Sequence, residues 1–141
     1  MADASLTASQ IRPLNGAVIR QFTAGGTITV GDVVYIAADG DVERADANLA
    51  VSALGVGIAV ASHDDSTTIE AGDPVSVVTL GPVSGFSGLS EGVNYYTSET
   101  AGKLADAAPS GAGTWTHAMG YAERASVFFV LPGVRAPVSN S

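Results

Sequence analysis

Short apolar runs alternate with turn residues along most of the chain. Val, Ile and aromatic side chains favour strands, whereas Gly, Asn and Asp favour turns. The runs at 33–37 (Val-Val-Tyr-Ile-Ala) and 126–131 (Ser-Val-Phe-Phe-Val-Leu) are the clearest. The whole pattern predicts strands at residues 17–22, 27–30, 33–37, 41–45, 57–61, 75–79, 95–98, 103–105, 119–122 and 126–131.

The turns between these runs carry their own signals. Asp39-Gly40 is the strongest hairpin signal, because a tight primed turn needs positive φ angles that glycine adopts without strain. Residues 48–53 are predicted to form a short helical turn, capped by Asp46 and stopped by Gly55. No helix longer than about two turns is expected.

A weak internal repeat underlies the strand pattern. Segment 31–35 (Gly-Asp-Val-Val-Tyr) recurs as 72–76 and as 92–96. After the first and third copies come a turn glycine, an Ala-Asp pair and a glycine-led strand, at 57–59 and 120–122. This order predicts one hairpin unit used twice, with spacings too irregular for a solenoid.

The two ends of the chain differ from its centre. Residues 1–16 show no sustained period and include Pro13 and the Asn15-Gly16 turn pair, which predicts an extended N-terminal arm. Residues 17–131 form the predicted β-rich body. Residues 132–141 contain two prolines and are predicted to be a short C-terminal tail.

Composition supports a single folded domain. The 141 residues are 46% hydrophobic and 14% charged, which is typical of a folded chain, and 17 glycines suit a protein with many turns. The absence of cysteine excludes disulfides and thiolate metal sites. We therefore predict an all-β fold, a small β-barrel or β-sandwich of β-tulip-like shape with the arm and tail attached.

The charge is acidic and unevenly distributed. The net charge is −8; residues 1–25 carry Asp3 against Arg12 and Arg20, a net of +1, and residues 26–141 carry a net of −9. An acidic surface repels phosphate backbones, so nucleic acid is not an expected partner. The longest apolar run, 127–131, is far short of a membrane span, so no membrane association is expected.

Residues that could carry catalysis are sparse. A serine triad needs a histidine base, and only His63, in a polar run, and His117 could supply it. Segment 84–88 (Ser-Gly-Phe-Ser-Gly) departs from the Gly-x-Ser-x-Gly pattern. Gly55-Val56-Gly57 begins like a dinucleotide fingerprint but lacks the third glycine and the helix. We expect no enzyme and no cofactor.

Two side-chain groups have alternative interpretations. Asp39, Asp41 and Glu43 could supply oxygen ligands to calcium, but their spacing is not that of an EF-hand and a solvated hairpin face explains it equally. No metal site is predicted, and calcium remains an open alternative. Trp115, in a glycine-rich loop, could stack on a sugar, anchor an interface or close the end of the core.

The order of the motifs resembles that of capsid decoration and head-fibre proteins of tailed bacteriophages. The resemblance rests on 30–35 (Val-Gly-Asp-Val-Val-Tyr), 55–59 (Gly-Val-Gly-Ile-Ala), 71–77 (Ala-Gly-Asp-Pro-Val-Ser-Val), 88–96 (Gly-Leu-Ser-Glu-Gly-Val-Asn-Tyr-Tyr) and 119–133. Together these motifs lie within residues 27–133. The segment 48–53 and the loop 109–116 fit no family pattern.

The resemblance implies a non-enzymatic virion protein. Such proteins are made in the host cytoplasm, bind the major capsid protein on the outer surface of the expanded head as cement, and are commonly homotrimers. Family members often add an N-terminal arm to a capsid sheet edge. On that basis the capsid-binding candidates here are Leu6, Ile11, Arg12, Leu14 and Arg20.

A second interpretation stays open at this stage. The chain could be a tail-fibre or spike module that binds host-surface glycans, because aromatic rings stack on sugar faces. The stacking candidates for that function, which would also serve as interface residues, are Trp115, Tyr95 and Tyr96. A small enzyme or a calcium-binding module is a less favoured alternative.

Overall fold

A computed structural model describes residues 2–133 and 136–140, and it is all-β. The described part contains one short 3₁₀ turn, Ala8–Gln10, and no α-helix. The strands are β1 Ser5–Leu6, β2 Arg12–Pro13, β3 Val18–Thr23, β4 Ile28–Thr29, β5 Val33–Ile36, β6 Val42–Arg44, β7 Gly57–Ser62, β8 Thr68–Ile69, β9 Pro74–Ser84, β10 Phe86–Ser87, β11 Asn94–Thr97, β12 Leu104–Ala105, β13 Trp115–Thr116, β14 Ala118–Arg124, β15 Val127–Val130 and β16 Val138–Ser139.

One strongly curled sheet, a half-barrel, forms the body. Its strand order is β12-β11-β14-β15-β9-β7-β5-β6, and all neighbouring pairs are antiparallel. The eleven-residue strand β9 holds the two halves together, because its first part pairs with β7 and its last part pairs with β15. The prediction of an all-β barrel or sandwich is confirmed.

The internal repeat corresponds to a repeated structural unit. Strands β6-β5-β7 form one antiparallel unit and β12-β11-β14 form another, at opposite ends of the strand order. Gly31 and Gly92 precede the first strand of each unit and have φ angles of 101° and 76°. Gly57 lies opposite Val34 and Gly120 lies opposite Tyr95, which are equivalent positions of the two units. The sequence repeat therefore predicted a real architectural duplication.

The core lies on the concave side of the curled sheet. Phe128 is fully buried at its centre, where its ring packs edge-on against Tyr95 and is tilted against Phe86. Around them lie mainly valine, isoleucine and alanine side chains from both units. Small β-branched residues on a pleated surface explain how so many short strands share one core.

Two turn predictions have different outcomes. The Asp39-Gly40 hairpin forms between β5 and β6, but not through a two-residue primed turn. Gly40 alone has positive φ, at 87°, and Ala37 N–H bonds the carbonyl of Asp41, so the loop holds three residues with glycine in the left-handed position. The turn at 48–53 forms, because Asp46 Oδ1 accepts the Asn48 N–H and Ala53 N–H donates to Leu49 O. It is not a regular helix, and Gly55 does not stop it through a left-handed conformation, since its φ is not positive.

The N-terminal segment is extended but packs along the body. Ala4 N–H donates to Leu104 O, β1 pairs with β10, and β2 pairs with β9. The C-terminal residues Val138 and Ser139 pair with Trp115 and Thr116. The parts of the predicted arm and tail at positions 1, 134, 135 and 141 lie outside the described residues.

A candidate protein-binding face

Strand β3 is an edge strand with an open side. Together with β2 it covers one side of β9, because Arg12 and Pro13 pair with Ser84 and Val83, and Val18–Thr23 pair with residues 74–80. Within residues 2–133 and 136–140, β3 pairs with no other strand. The backbone N–H and C=O groups on its open side are therefore available to another chain.

The aliphatic side chains of β3 are unusually exposed to solvent. Val18 is 45% exposed and Ile19 is 47% exposed, and five of the six residues of the strand are exposed. A register shift in the pairing with β9 falls between Val18 and Ile19. A bulge and a charged side chain on an edge strand both limit aggregation through pairing with other sheet edges. The edge formed by β3 is therefore open, but the bulge and Arg20 oppose nonspecific pairing.

A row of apolar residues crosses the convex face next to this edge. Tyr121 lies opposite Phe129, and Phe129 lies opposite Pro82. The two rings stack with centroids 5.2 Å apart and planes inclined by 13°. Leu14 continues the row, because its N–H donates to Pro82 O and its side chain is exposed. We call Tyr121, Phe129, Pro82 and Leu14 the outer row.

The neighbouring row explains why the outer row faces away from the core. Ala122, Phe128 and Val83 lie opposite one another on the same three strands, and all three are buried. Successive side chains of a strand point to opposite faces, so the residues one position away must point outward. The three strand residues of the outer row are accordingly half-buried rather than buried.

The rim of the outer row carries charge. A shallow surface recess beside it is lined by Pro13, Leu14, Pro82, Glu123, Arg124 and Val127 among others. Both Glu123 and Arg124 are exposed. An apolar centre with a charged rim is the composition expected of a protein-binding surface, whereas small-molecule sites are deep and enclosed.

The five predicted capsid-binding residues divide into two groups. Ile11 is 0% exposed in the core cluster, so it cannot contact another protein while the segment stays in place. Leu6 packs against that cluster and is half-buried. Leu14, Arg12 and Arg20 are exposed. Arg12 donates from Nη1 to the carbonyl oxygens of Ser9 and Ile11, which holds its side chain against the 3₁₀ turn.

The three predicted stacking residues do not form one platform. Tyr95 is 3% exposed, its ring packs on Phe128 and its hydroxyl accepts the Ser90 N–H. The prediction of Tyr95 as a sugar-stacking or interface residue is therefore wrong, because its ring is buried in the core. Tyr96 is half-buried on β11, and Trp115 is half-buried on β13, which belongs to a different sheet.

The sequence reasoning missed Tyr121, Phe129 and Pro82. Phe128-Phe129 was assigned to a strand, but one of two adjacent aromatic residues in a strand must face outward when the other is in the core. Because Phe128 is buried, Phe129 lies on the convex side. That alternation is the signal that would have identified the outer row.

The two histidines have different surroundings. His117 is buried with Nε2 3.1 Å from Gly55 O. Burial lowers the pKa of His117, and the hydrogen bond to Gly55 opposes this only in part. His63 is in an exposed loop, beside Asp64, whose Oδ1 accepts hydrogen bonds from the Ser62 hydroxyl and the Ser66 N–H. Those bonds lower the pKa of the Asp64 carboxyl.

The carboxylates of the β5–β6 hairpin do not converge on one point. Asp39 Oδ1 accepts the Asp41 N–H at 3.0 Å, as in an ordinary Asx turn. Across the part of the chain that the structure describes, no group of three or more acidic or histidine side chains could hold a metal ion. Among the same residues, no helix is long and apolar enough to cross a membrane.

Two comparisons with known proteins give no family for this chain. A scan against protein-family models finds no match for the chain, and a search of curated proteins finds none.

Proposed function

We propose that this protein is a non-enzymatic virion structural protein that binds the outer surface of a tailed-phage capsid and stabilises the expanded head. Its partner in this proposal is the major capsid protein, and its place is the outside of the virion after synthesis in the host cytoplasm. The resemblance of the motifs within residues 27–133 supports the choice of a capsid.

The observation that carries the proposal is the outer row beside an open sheet edge. Tyr121, Phe129, Pro82 and Leu14 form one apolar strip on a sheet held by β9. Exposed apolar strips with polar rims mark surfaces that bind other proteins. Side chains that are already half-buried on paired strands, as three of these are, lose less conformational entropy on binding, which suits a part that must attach at many equivalent sites.

Many weak contacts of this kind can stabilise a shell. A protein that binds the expanded shell but not its dissociated subunits stabilises that state by RT ln(1 + [L]/Kd), about 2.7 kcal/mol per site at a hundredfold excess over Kd. Because the same contact repeats at symmetry-related sites, a modest affinity per copy suffices for a large effect on the particle. No catalytic group is needed for this function.

A matched pair of leucine variants tests the proposal. Leu14→Glu places a charge in the outer row, whereas Leu49→Glu places the same charge on an exposed leucine in the turn after β6. Each variant is incubated with expanded heads that lack the protein, and the bound fraction is measured by co-sedimentation. We expect the affinity of Leu14→Glu for the heads to fall about tenfold or more, and Leu49→Glu to bind as tightly as the unaltered protein does.

Two results would count against the proposal. If the unaltered protein does not bind expanded heads at all, capsid decoration is wrong. If both glutamate variants bind equally well, the outer row is not the contact surface. Circular dichroism of both variants separates loss of binding from loss of fold.

A further inference from the structure

The turn between β2 and β3 contains the only asparagine of the chain that is followed by glycine. Asn15 and Gly16 are the central residues of this turn, which a hydrogen bond of 3.1 Å closes from Ala17 N–H to Leu14 O. Both central residues are exposed. In such a pair the main-chain nitrogen can attack the asparagine side chain, because glycine has no Cβ to obstruct the approach.

The Gly16 amide is accessible for this attack. Its N–H donates no hydrogen bond within residues 2–133 and 136–140, and the Asn15 side chain makes none there either. Gly16 has a φ of 92°, and a Cβ placed on it would meet nothing within 4 Å. The attacking nitrogen and the side chain that it attacks are therefore both in open surroundings.

The other three asparagines of the chain do not combine these features. Asn48 donates from Nδ2 to Glu99 O at 3.0 Å, and Asn140 donates from Nδ2 to Thr114 Oγ1 at 3.2 Å. Asn94 lies on β11, which pairs with β14, and a bulky tyrosine follows it. Each of these side chains is held by a hydrogen bond or lies in a strand next to a large residue.

The turn packs closely against β9. A Cβ at Gly81 would lie 2.7 Å from Ala17 Cα and 3.1 Å from Gly16 O, so the backbone of the turn fills the space that the absent side chain leaves. An additional main-chain atom in the turn cannot be accommodated without loss of this contact. A change in the backbone at position 15 therefore affects how the start of β3 lies on β9.

Position 15 also borders the outer row. Asn15 lines the same surface recess as Leu14 and Pro82, and the charged residues of that recess are Glu123 and Arg124. One acid and one base balance there, so a carboxylate in place of the Asn15 amide leaves the recess with a net negative charge. A carboxylate at the rim of an apolar contact must be desolvated when the contact forms, which opposes binding.

We propose that Asn15 is a site of spontaneous deamidation, with Gly16 supplying the attacking nitrogen. The Gly16 nitrogen loses its proton to solvent, bonds to Cγ of Asn15 and closes a five-membered ring, while the side-chain nitrogen leaves as ammonia. One water molecule then opens the ring and forms a carboxylate. The product is either an aspartate or an isoaspartyl residue, in which the main chain is one atom longer. Two groups held in one turn react as neighbours within a single molecule, which favours the first step.

The consequence for capsid binding rests on the proposed function. Both products place a negative charge beside Leu14, and the isoaspartyl product also disturbs the packing of the turn on Gly81. Converted copies therefore bind the shell more weakly than fresh ones. The reaction limits the time during which an unbound copy stays competent to attach.

Peptide mapping by mass spectrometry tests the modification in the free, full-length protein. The protein is incubated in mildly alkaline buffer, and conversion of each asparagine is followed with time. We expect Asn15 to convert at least about tenfold faster than any of the other three asparagines. Gly16→Ala should slow conversion about tenfold or more, because the added methyl group obstructs the attack. Asn15→Gln, which would require a six-membered ring, is the control that should show no conversion at position 15.

Two results would overturn the proposed modification. Asn15 could convert no faster than Asn48, Asn94 and Asn140, or Gly16→Ala could convert as fast as the unaltered protein. Circular dichroism of the variants shows whether the fold is retained, so that an altered rate is not mistaken for unfolding.

Co-sedimentation with expanded heads tests the consequence separately. We expect Asn15→Asp to bind about threefold more weakly or worse, and Asn15→Gln to bind as the unaltered protein does. Equal affinities of the two variants would contradict the effect on binding. Failure of the unaltered protein to bind the heads would contradict the proposed function instead, and the mass spectrometry would still decide whether Asn15 is modified.

Discussion

Val18 on β3 and Leu80 on β9 are directly paired across the two strands, yet they remain 45% and 41% exposed. In an ordinary two-strand contact, an aliphatic pair of this kind is covered by a neighbouring strand or by the core. Here β3 is the last strand on its side of β9, and no other strand of the described residues pairs with it. The pair therefore leaves apolar surface exposed at this edge of the sheet.

The first prediction concerns Gly120. Its φ is 141°, and a Cβ at this position would lie 2.0 Å from Phe129 O. Gly120→Ala should therefore destabilise the fold by about 3 kcal/mol or more, because strain and overlap with backbone add together. Denaturant unfolding measures the change. Gly40→Ala is the control: its φ is 87°, but its Cβ would meet nothing within 4 Å, so only about 1 kcal/mol is expected.

Equal losses for the two alanine variants would contradict the close packing of β14 against β15. A loss at Gly40 larger than that at Gly120 would contradict the turn geometry as well.

The second prediction concerns Ile11. Its side chain is fully buried in the core cluster, although it belongs to the segment that the sequence indicated as an arm. Ile11→Ala should cost about 2–4 kcal/mol of unfolding free energy, because it removes buried methyl groups and leaves a cavity. Leu14→Ala, at an exposed position in the same segment, should cost less than about 1 kcal/mol.

Denaturant unfolding of both variants decides whether residues 2–16 belong to the folded body. If Ile11→Ala were as stable as the unaltered protein, the segment would be a detachable arm after all.

The third prediction concerns pH. His117 titrates near 6.5 when unfolded, and burial lowers its pKa in the folded protein. As the pH falls below 6.5, the unfolded chain takes up the proton first, so stability is lost progressively until the folded pKa is reached. His117→Gln, which can still donate to Gly55 O, should lose less stability between pH 7 and pH 5 than the unaltered protein does.

The check is the unfolding free energy at several pH values for both proteins. Identical slopes between pH 7 and pH 5 would show that His117 is not the group responsible. His63→Gln, in the exposed loop, is measured over the same pH range as a second histidine-to-glutamine variant for comparison.

The strand pattern was predictable because it is local. The main strands appear where alternating β-branched and aromatic residues predicted them, and the repeat beginning at Gly31 and Gly92 identified the two matching units. Each of these features depends on residues close in sequence, such as a glycine with positive φ before a strand. The fold class followed from them.

The candidate face was less predictable because it depends on long-range pairing. Ile11 lies just after a 3₁₀ turn between two short strands, so no period of two or 3.6 residues reveals its burial. Pro82 and Phe129 are far apart in sequence and meet only through the β9–β15 register. A sequence pattern gives the faces of one strand, but not which strands lie side by side.

Cryo-electron microscopy of the native particle tests the proposed capsid binding most directly. We expect density for this protein at symmetry-related positions over the outer surface of the shell, with Leu14, Phe129 and Tyr121 facing the major capsid protein. Density confined to the tail or to a fibre tip, or copies on the shell with the outer row facing solvent, would contradict it.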